Sequence, residues 1–172
     1  MGTLTLEEFC RKAADITQSA RPADVPARIA DALPGLLANG ELLAPAHLVA
    51  PDGGYGRNIV FVCPNAAYSV LAVVWPPGIA TPIHDHKTWC AFGVYQGGIN
   101  EIRYDPADDG PGSHYAQVRS VNDLAAGAVG HLPLSGNIHR IENRNGGDAI
   151  SIHVYGGDCR TLGANVERIY KA

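Results

Sequence analysis

No stretch of this sequence is long and apolar enough to suggest a membrane span: the longest apolar run, from about Val70 to Pro77, falls far short of the roughly 20 residues a spanning helix needs. The amino-terminal MGTLTLEEFC offers neither the basic end nor the apolar core of a secretion signal. Basic residues are outnumbered, 13 Lys and Arg against 17 Asp and Glu for a net charge of −4, which disfavours a nucleic-acid face. Cysteine is scarce. The four thiols, Cys10, Cys63, Cys90 and Cys159, include no CxxC pair, and a 172-residue chain has enough material for a core without staples, so reduced thiols are expected. Fixed-period repeats and low-complexity tracts are also missing. The expectation is a soluble, cytoplasmic protein that engages neither nucleic acid nor membrane.

What is present divides the chain in two. Residues 4–39 read as helical: Thr5 and Glu8 form a capping box, and Leu6, Phe9, Ala13 and Ile16 recur at helical spacing. A second helix is predicted from an Asp24 cap through Ile29, Leu33 and Leu37 to Gly40, with Pro34 arguing for a break or a shortened segment. From Ile59 onward the texture becomes short β-rich runs, at 59–62, 68–75, 91–95, 99–104, 115–121, 128–132, 138–142 and 149–155, separated by Gly, Pro, Asn and Asp. The stretch 105–113 reads as a long surface loop. The fold class expected is all-β, a closed barrel or jelly roll with an N-terminal helical extension. It forms one domain over 1–172, with the cap at about 4–39 and the barrel at about 55–170.

Seven histidines are present, and two of them, His84 and His86, stand one residue apart. In a strand, alternate side chains share a face, so both can reach one metal ion. The string Gly78-IATPI-His84-Asp-His86-KTW-Cys90-AFGVYQ-Gly97 resembles the first cupin motif, with Cys90 where most cupins carry a glutamate. Gly127-AVGHL-Pro133-LS-Gly136-NI-His139 resembles the second, with one extra residue, and that resemblance makes His139 the third ligand; His131 is left as a polar residue on the barrel wall. Three neutral imidazoles without a carboxylate suit an open metal site for an anionic chelating substrate and dioxygen. A closed zinc site completed by Cys90 is the alternative.

From about Tyr55 to Tyr155 the chain resembles the cysteine dioxygenase family of thiol dioxygenases. Tyr55-Gly-Arg57-Asn58 is similar to the segment whose Tyr and Arg receive the substrate carboxylate. Ser151-Ile-His153-Val-Tyr155 is similar to the family's Ser-x-His-x-Tyr strand, and alternation places its three polar side chains on one face. The resemblance implies a non-haem Fe(II) held by His84, His86 and His139. It also implies Arg57 and Tyr55 at the substrate, with Tyr155, His153, Ser151 and Cys90 completing the catalytic set and Cys90 the candidate for a thioether link to Tyr155. The implied reaction adds O2 to a small carboxylated thiol, most readily L-cysteine, giving the sulfinic acid. HDHKTW and SIHVYGGD are similar to bacterial mercaptopropionate-type enzymes, and only three residues separate His86 from Cys90, where animal cysteine dioxygenases have four. 3-Mercaptopropionate and mercaptosuccinate therefore remain alternative substrates. A metal-dependent isomerase or lyase and a ligand-sensing cupin are rival classes.

Overall fold

The computed structural model describes residues 2–107 and 114–172. Two helices come first, α1 (Leu6–Ser19) and α2 (Val25–Leu37). The expected capping box is present: the Glu8 amide donates to Thr5 Oγ1 at 3.2 Å and the Thr5 amide to Glu8 Oε2 at 2.8 Å. Two helical expectations need correction. Asp24 makes no side-chain cap; it sits in a short 3-10 turn and binds Arg21 Nε at 2.7 Å instead. Pro34 does not break α2, because Leu33 and Leu36 are fully buried on either side of it and their packing outweighs one lost hydrogen bond.

Ten strands follow: β1 (Gly56–Val62), β2 (Tyr68–Trp75), β3 (Ile83–His86), β4 (Cys90–Gln96), β5 (Gly98–Ala107), β6 (Tyr115–Ala125), β7 (Val129–Leu132), β8 (Ile138–Glu142), β9 (Ala149–Gly156) and β10 (Val166–Tyr170). They form two five-stranded antiparallel sheets, in the orders β1-β2-β9-β4-β7 and β10-β3-β8-β5-β6. The short strand β10, which borders β3, and the single helical turn α3 (Cys159–Leu162) are absent from the sequence expectation. The expected loop at 105–113 is overturned in its first part. Asp105–Ala107 extend β5 and pair with Tyr115, Ala116 and Gln117, since cross-strand pairing overrides the turn propensity of one Pro near a strand end. Residues 108–113 of that loop lie outside the described residues.

The first sheet is covered on both faces. Every residue of β2 and β9 is buried. On the outer side Val70, Ala72, Ile152 and Val154 join Phe9, Ala13, Ile29 and Leu33 of the helices in one apolar cluster. On the inner side Leu71, Val73, Trp75, Phe92 and Tyr155 share a cluster with Ile99 and Ile141 of the second sheet. That second cluster lies between the sheets and forms the floor of the site. All four cysteines are unpaired and buried, and no described helix is long and apolar enough to cross a membrane.

Candidate metal centre and substrate pocket

His84 and His86 leave β3 on one face, and the antiparallel register sets His84 directly across from His139 of β8. Gly78, at φ +77°, turns the chain into this segment, a conformation that any side chain with a Cβ would strain. The three imidazoles are buried, with ring centroids 4.8–5.0 Å apart and ligand atoms all within 4.8 Å of one another. His84 Nδ1 donates to the Pro82 carbonyl at 2.9 Å, which leaves the Nε2 lone pair free. His139 Nδ1 donates to Glu101 Oε1 at 3.2 Å, with the same result.

The Nε2 atoms of His84 and His86 are 3.1 Å apart. Two nitrogens bound to one cation at about 2.1 Å and roughly right angles would be separated by about 3 Å, so the donor set fits a transition-metal ion. Burial, reinforced by His139, lowers the pKa of His84 to about 4 and drives that of His86 well below its ordinary value, keeping both neutral and ligand-competent near pH 7.

The histidines open into a pocket also lined by Tyr55, Arg57, Trp75, His153 and Tyr155. Arg57 arrives on β1, where Gly56 lies so close to the Val49 carbonyl that an added Cβ would sit 1.8 Å from its oxygen. Asn58 fastens the same segment by donating to that carbonyl at 2.9 Å. The YGRN pattern is thereby explained locally: the Gly permits a close backbone approach and the Asn holds it. Arg57 Nη1 donates to the Gly163 carbonyl at 2.8 Å, while Nη2 is buried without a partner among the described residues. The guanidinium lies 5.8 Å from the centre of the Tyr155 ring.

The Ser-His-Tyr row forms as the alternation of β9 requires. Ser151 Oγ is 2.9 Å from His153 Nε2, and Tyr155 Oη is 3.1 Å from His153 Nδ1. Trp75, whose indole N–H can only donate, gives its proton to Ser151 Oγ at 2.8 Å. With His153 as the Nδ1–H tautomer, the Ser151 hydroxyl donates to His153 Nε2, His153 Nδ1–H donates to Tyr155 Oη, and the phenol proton is free for the pocket. Burial, then the neighbouring His139, lowers the His153 pKa to about 3, while burial raises the Tyr155 phenol far above its usual range. Both groups are neutral hydrogen-bonding elements.

Cys90 faces the space between the sheets, on the same sheet face as Tyr155. It does not belong to the three-histidine set found among the described residues and does not line the pocket. Its Sγ is fully buried and lies 3.8 Å from His153 Nδ1, beside the row. The alternative of a closed site with Cys90 as fourth ligand therefore finds no support. Cys90 is nevertheless the direct cross-strand partner of Tyr155, a relation that sets Cβ atoms about 4.5–5.5 Å apart. His131 is exposed on β7, away from the histidine cluster.

Several contributors escaped the sequence reading. Trp75, hidden at the end of an apolar strand, also stacks on Tyr55 at 5.0 Å. Ala164 and Val166 close the pocket from the carboxy-terminal segment. Glu101 stands behind His139 with its side chain only 3% exposed. A single acidic residue flanked by Ile99 and Ile102 in a β-rich run was the available signal for it.

Crystal structures of similar fold establish the class first. TT1209 from Thermus thermophilus is 16% identical, the match covering 64% of this chain and 90% of that one with a TM-score of 0.51. An uncharacterized conserved protein with a double-stranded beta-helix domain from Klebsiella pneumoniae is 17% identical, covering 77% and 100% with a TM-score of 0.53. These likenesses speak to the fold, a double-stranded β-helix. The family follows from the sequence itself: the model for cysteine dioxygenase type I matches residues 48–167, and the chain belongs to that family.

Proposed function

We propose that this protein is a thiol dioxygenase whose sheets close as a cupin jelly roll around one Fe(II), held by His84, His86 and His139. It converts a small carboxylated thiol, L-cysteine foremost, to the sulfinic acid: R–SH + O2 → R–SO2H, both oxygen atoms ending on sulfur. The observation that carries this reading is the convergence, in one pocket, of three imidazoles with an unpartnered guanidinium nitrogen. Bound Fe(II) would supply Lewis acidity that keeps the thiol deprotonated and a redox centre for O2.

The chain's own residues do the rest. Arg57 receives the substrate carboxylate on its free nitrogen, with Tyr55 beside it, and so fixes the sulfur near the histidines. Tyr155 hydrogen-bonds the thiol substrate or O2 through its hydroxyl, which His153, Ser151 and Trp75 hold in place. Cys90 backs His153 and Tyr155 and restricts their movement. 3-Mercaptopropionate and mercaptosuccinate carry the same carboxylate and thiol and are the alternative substrates. An isomerase or lyase is less well supported, because Glu101, the buried carboxylate nearest these groups, does not line the pocket that a base would have to reach.

Oxygen uptake by the Fe(II)-loaded protein is the test. Cysteine and the other carboxylated thiols should drive consumption well above cysteamine, which lacks the carboxylate. Arg57→Ala should lower kcat/KM for cysteine by about 2–5 kcal/mol, mainly through KM, and leave cysteamine nearly unchanged. No uptake with any thiol would rule out the dioxygenase reading, and a ligand-sensing role would then be favoured by binding without turnover.

A further inference from the structure

The three histidines are held in three different ways. His84 leans on a carbonyl two residues away, and His86 Nδ1 is buried with no partner among the described residues. His139 is backed by a charged group. The register of β5 against β8 sets Glu101 across from Ile141 and Arg103 across from His139, so Glu101 reaches His139 diagonally on one sheet face. Its Oε1 accepts from His139 Nδ1 at 3.2 Å, and its Oε2 accepts from Arg103 Nε at 2.9 Å and Asn122 Nδ2 at 3.5 Å. A carboxylate buried this deeply costs several kcal/mol of hydration unless it is well paired, and a buried ion pair adds little net stability over an apolar replacement.

We propose that Glu101 is a positioning residue for the metal centre; the proposal rests on the reading of His84, His86 and His139 as metal ligands. By accepting the Nδ1 proton, the carboxylate holds His139 in the tautomer whose Nε2 lone pair faces the other two histidines. It also places one negative charge behind a ligand set that carries none, and so makes the His139 nitrogen a stronger donor. Arg103 and Asn122 hold the second oxygen and stop the carboxylate from rotating away. His139 becomes the anchor of the three, and His86, held by packing alone, the ligand most dependent on the ion for its final orientation.

Two substitutions separate charge from geometry. Glu101→Gln keeps an acceptor for the Nδ1 proton and removes the charge; Glu101→Leu removes both. Fe(II) dissociation constants, measured anaerobically against a chromophoric chelator, should rise about 10-fold in Glu101→Gln and about 100-fold in Glu101→Leu. In metal-free protein, nitrogen-15 shifts of the imidazoles should show His139 as the Nδ1–H tautomer in the wild type and in Glu101→Gln, and as a mixture in Glu101→Leu. Wild-type affinity in both variants, with only a lowered melting temperature, would overturn the proposal and make the Glu101–Arg103 pair structural. If Glu101→Leu fails to fold, an unchanged Fe(II) affinity in Glu101→Gln together with a mixed His139 tautomer in the wild type has the same meaning. Wild-type protein that binds no Fe(II) would instead overturn the metal reading itself, and the proposal with it.

Discussion

The pocket has two unlike walls. One is built from β3, β8 and β5 and carries His84, His86, His139 and Glu101; the other is built from β1, β2, β4 and β9 and carries Arg57, Trp75, Cys90, Ser151, His153 and Tyr155. The histidine wall uses strands of four and five residues in a sheet whose long neighbour β6 is largely exposed. The second wall uses two eight-residue strands buried on both faces and backed by α1 and α2. The backbone of the second wall is fixed by core packing, and hydrogen bonds then orient its polar side chains. In the first, His84 and His139 are placed by hydrogen bonds, and His86 by packing and, in the proposed function, by the ion. Binding of metal and orientation of substrate should therefore be separable by mutation.

The sharpest way to break this division is to remove one group from each wall. His139→Ala should abolish stoichiometric Fe(II) and all measurable turnover. His153→Gln should retain one Fe(II) per chain while kcat falls about 10–100-fold, because the Tyr155 hydroxyl loses its orienting partner. Metal content by elemental analysis, set against oxygen uptake, distinguishes the two. Iron retained in His139→Ala, or lost in His153→Gln, would contradict the partition.

A second contrast concerns what supports each wall. Leu33 is fully buried against the outer face of the first sheet, so Leu33→Ala should cost about 2–5 kcal/mol in denaturant unfolding. Val121 lies on β6 and is 51% exposed; Val121→Ala should stay within about 0.5 kcal/mol. Similar losses at the two positions would mean that the helices do not carry the wall they cover.

The same contrast explains what could be read in the sequence. His84, His86 and the Ser151-His153-Tyr155 row were legible because strand alternation is a local rule that needs only two-residue spacing. The α1 capping box was legible for the same reason. Glu101, Trp75 and the Gly163 carbonyl were not, since each reaches its partner across strands that are far apart in sequence, and no local pattern encodes that pairing. Pro34 and the start of the 105–113 segment misled because propensity was weighed without the packing and pairing that overrule it. Cys90 is the direct cross-strand partner of Tyr155, yet it is neither among the pocket-lining residues nor in the three-histidine set: a motif fixes a backbone position and not which neighbour its side chain meets.

The smallest expected effect probes the buried wall through pH. His153 is packed between Trp75 of β2 and Phe92 and Cys90 of β4, hydrogen-bonded to Ser151 and Tyr155 on its own strand, and influenced by Arg57, His84 and His139. Its pKa falls from the ordinary 6.5 to about 3 on folding, with burial as the main cause. Above pH 6.5 neither the folded nor the unfolded chain binds this proton, and the group leaves stability unchanged. As pH drops from 6.5 toward 3 only the unfolded chain takes it up, so stability is lost at no more than about 1.4 kcal/mol per pH unit. Other histidines titrate in the same range, which makes the difference between wild type and His153→Gln the quantity to follow in metal-free protein. Melting temperatures should fall more steeply with acid in the wild type, by up to about 3–6 °C per pH unit for a chain of this size. Parallel curves for the two proteins would mean that His153 is solvated or already charged, and its role as a neutral link between Ser151 and Tyr155 would fail with it.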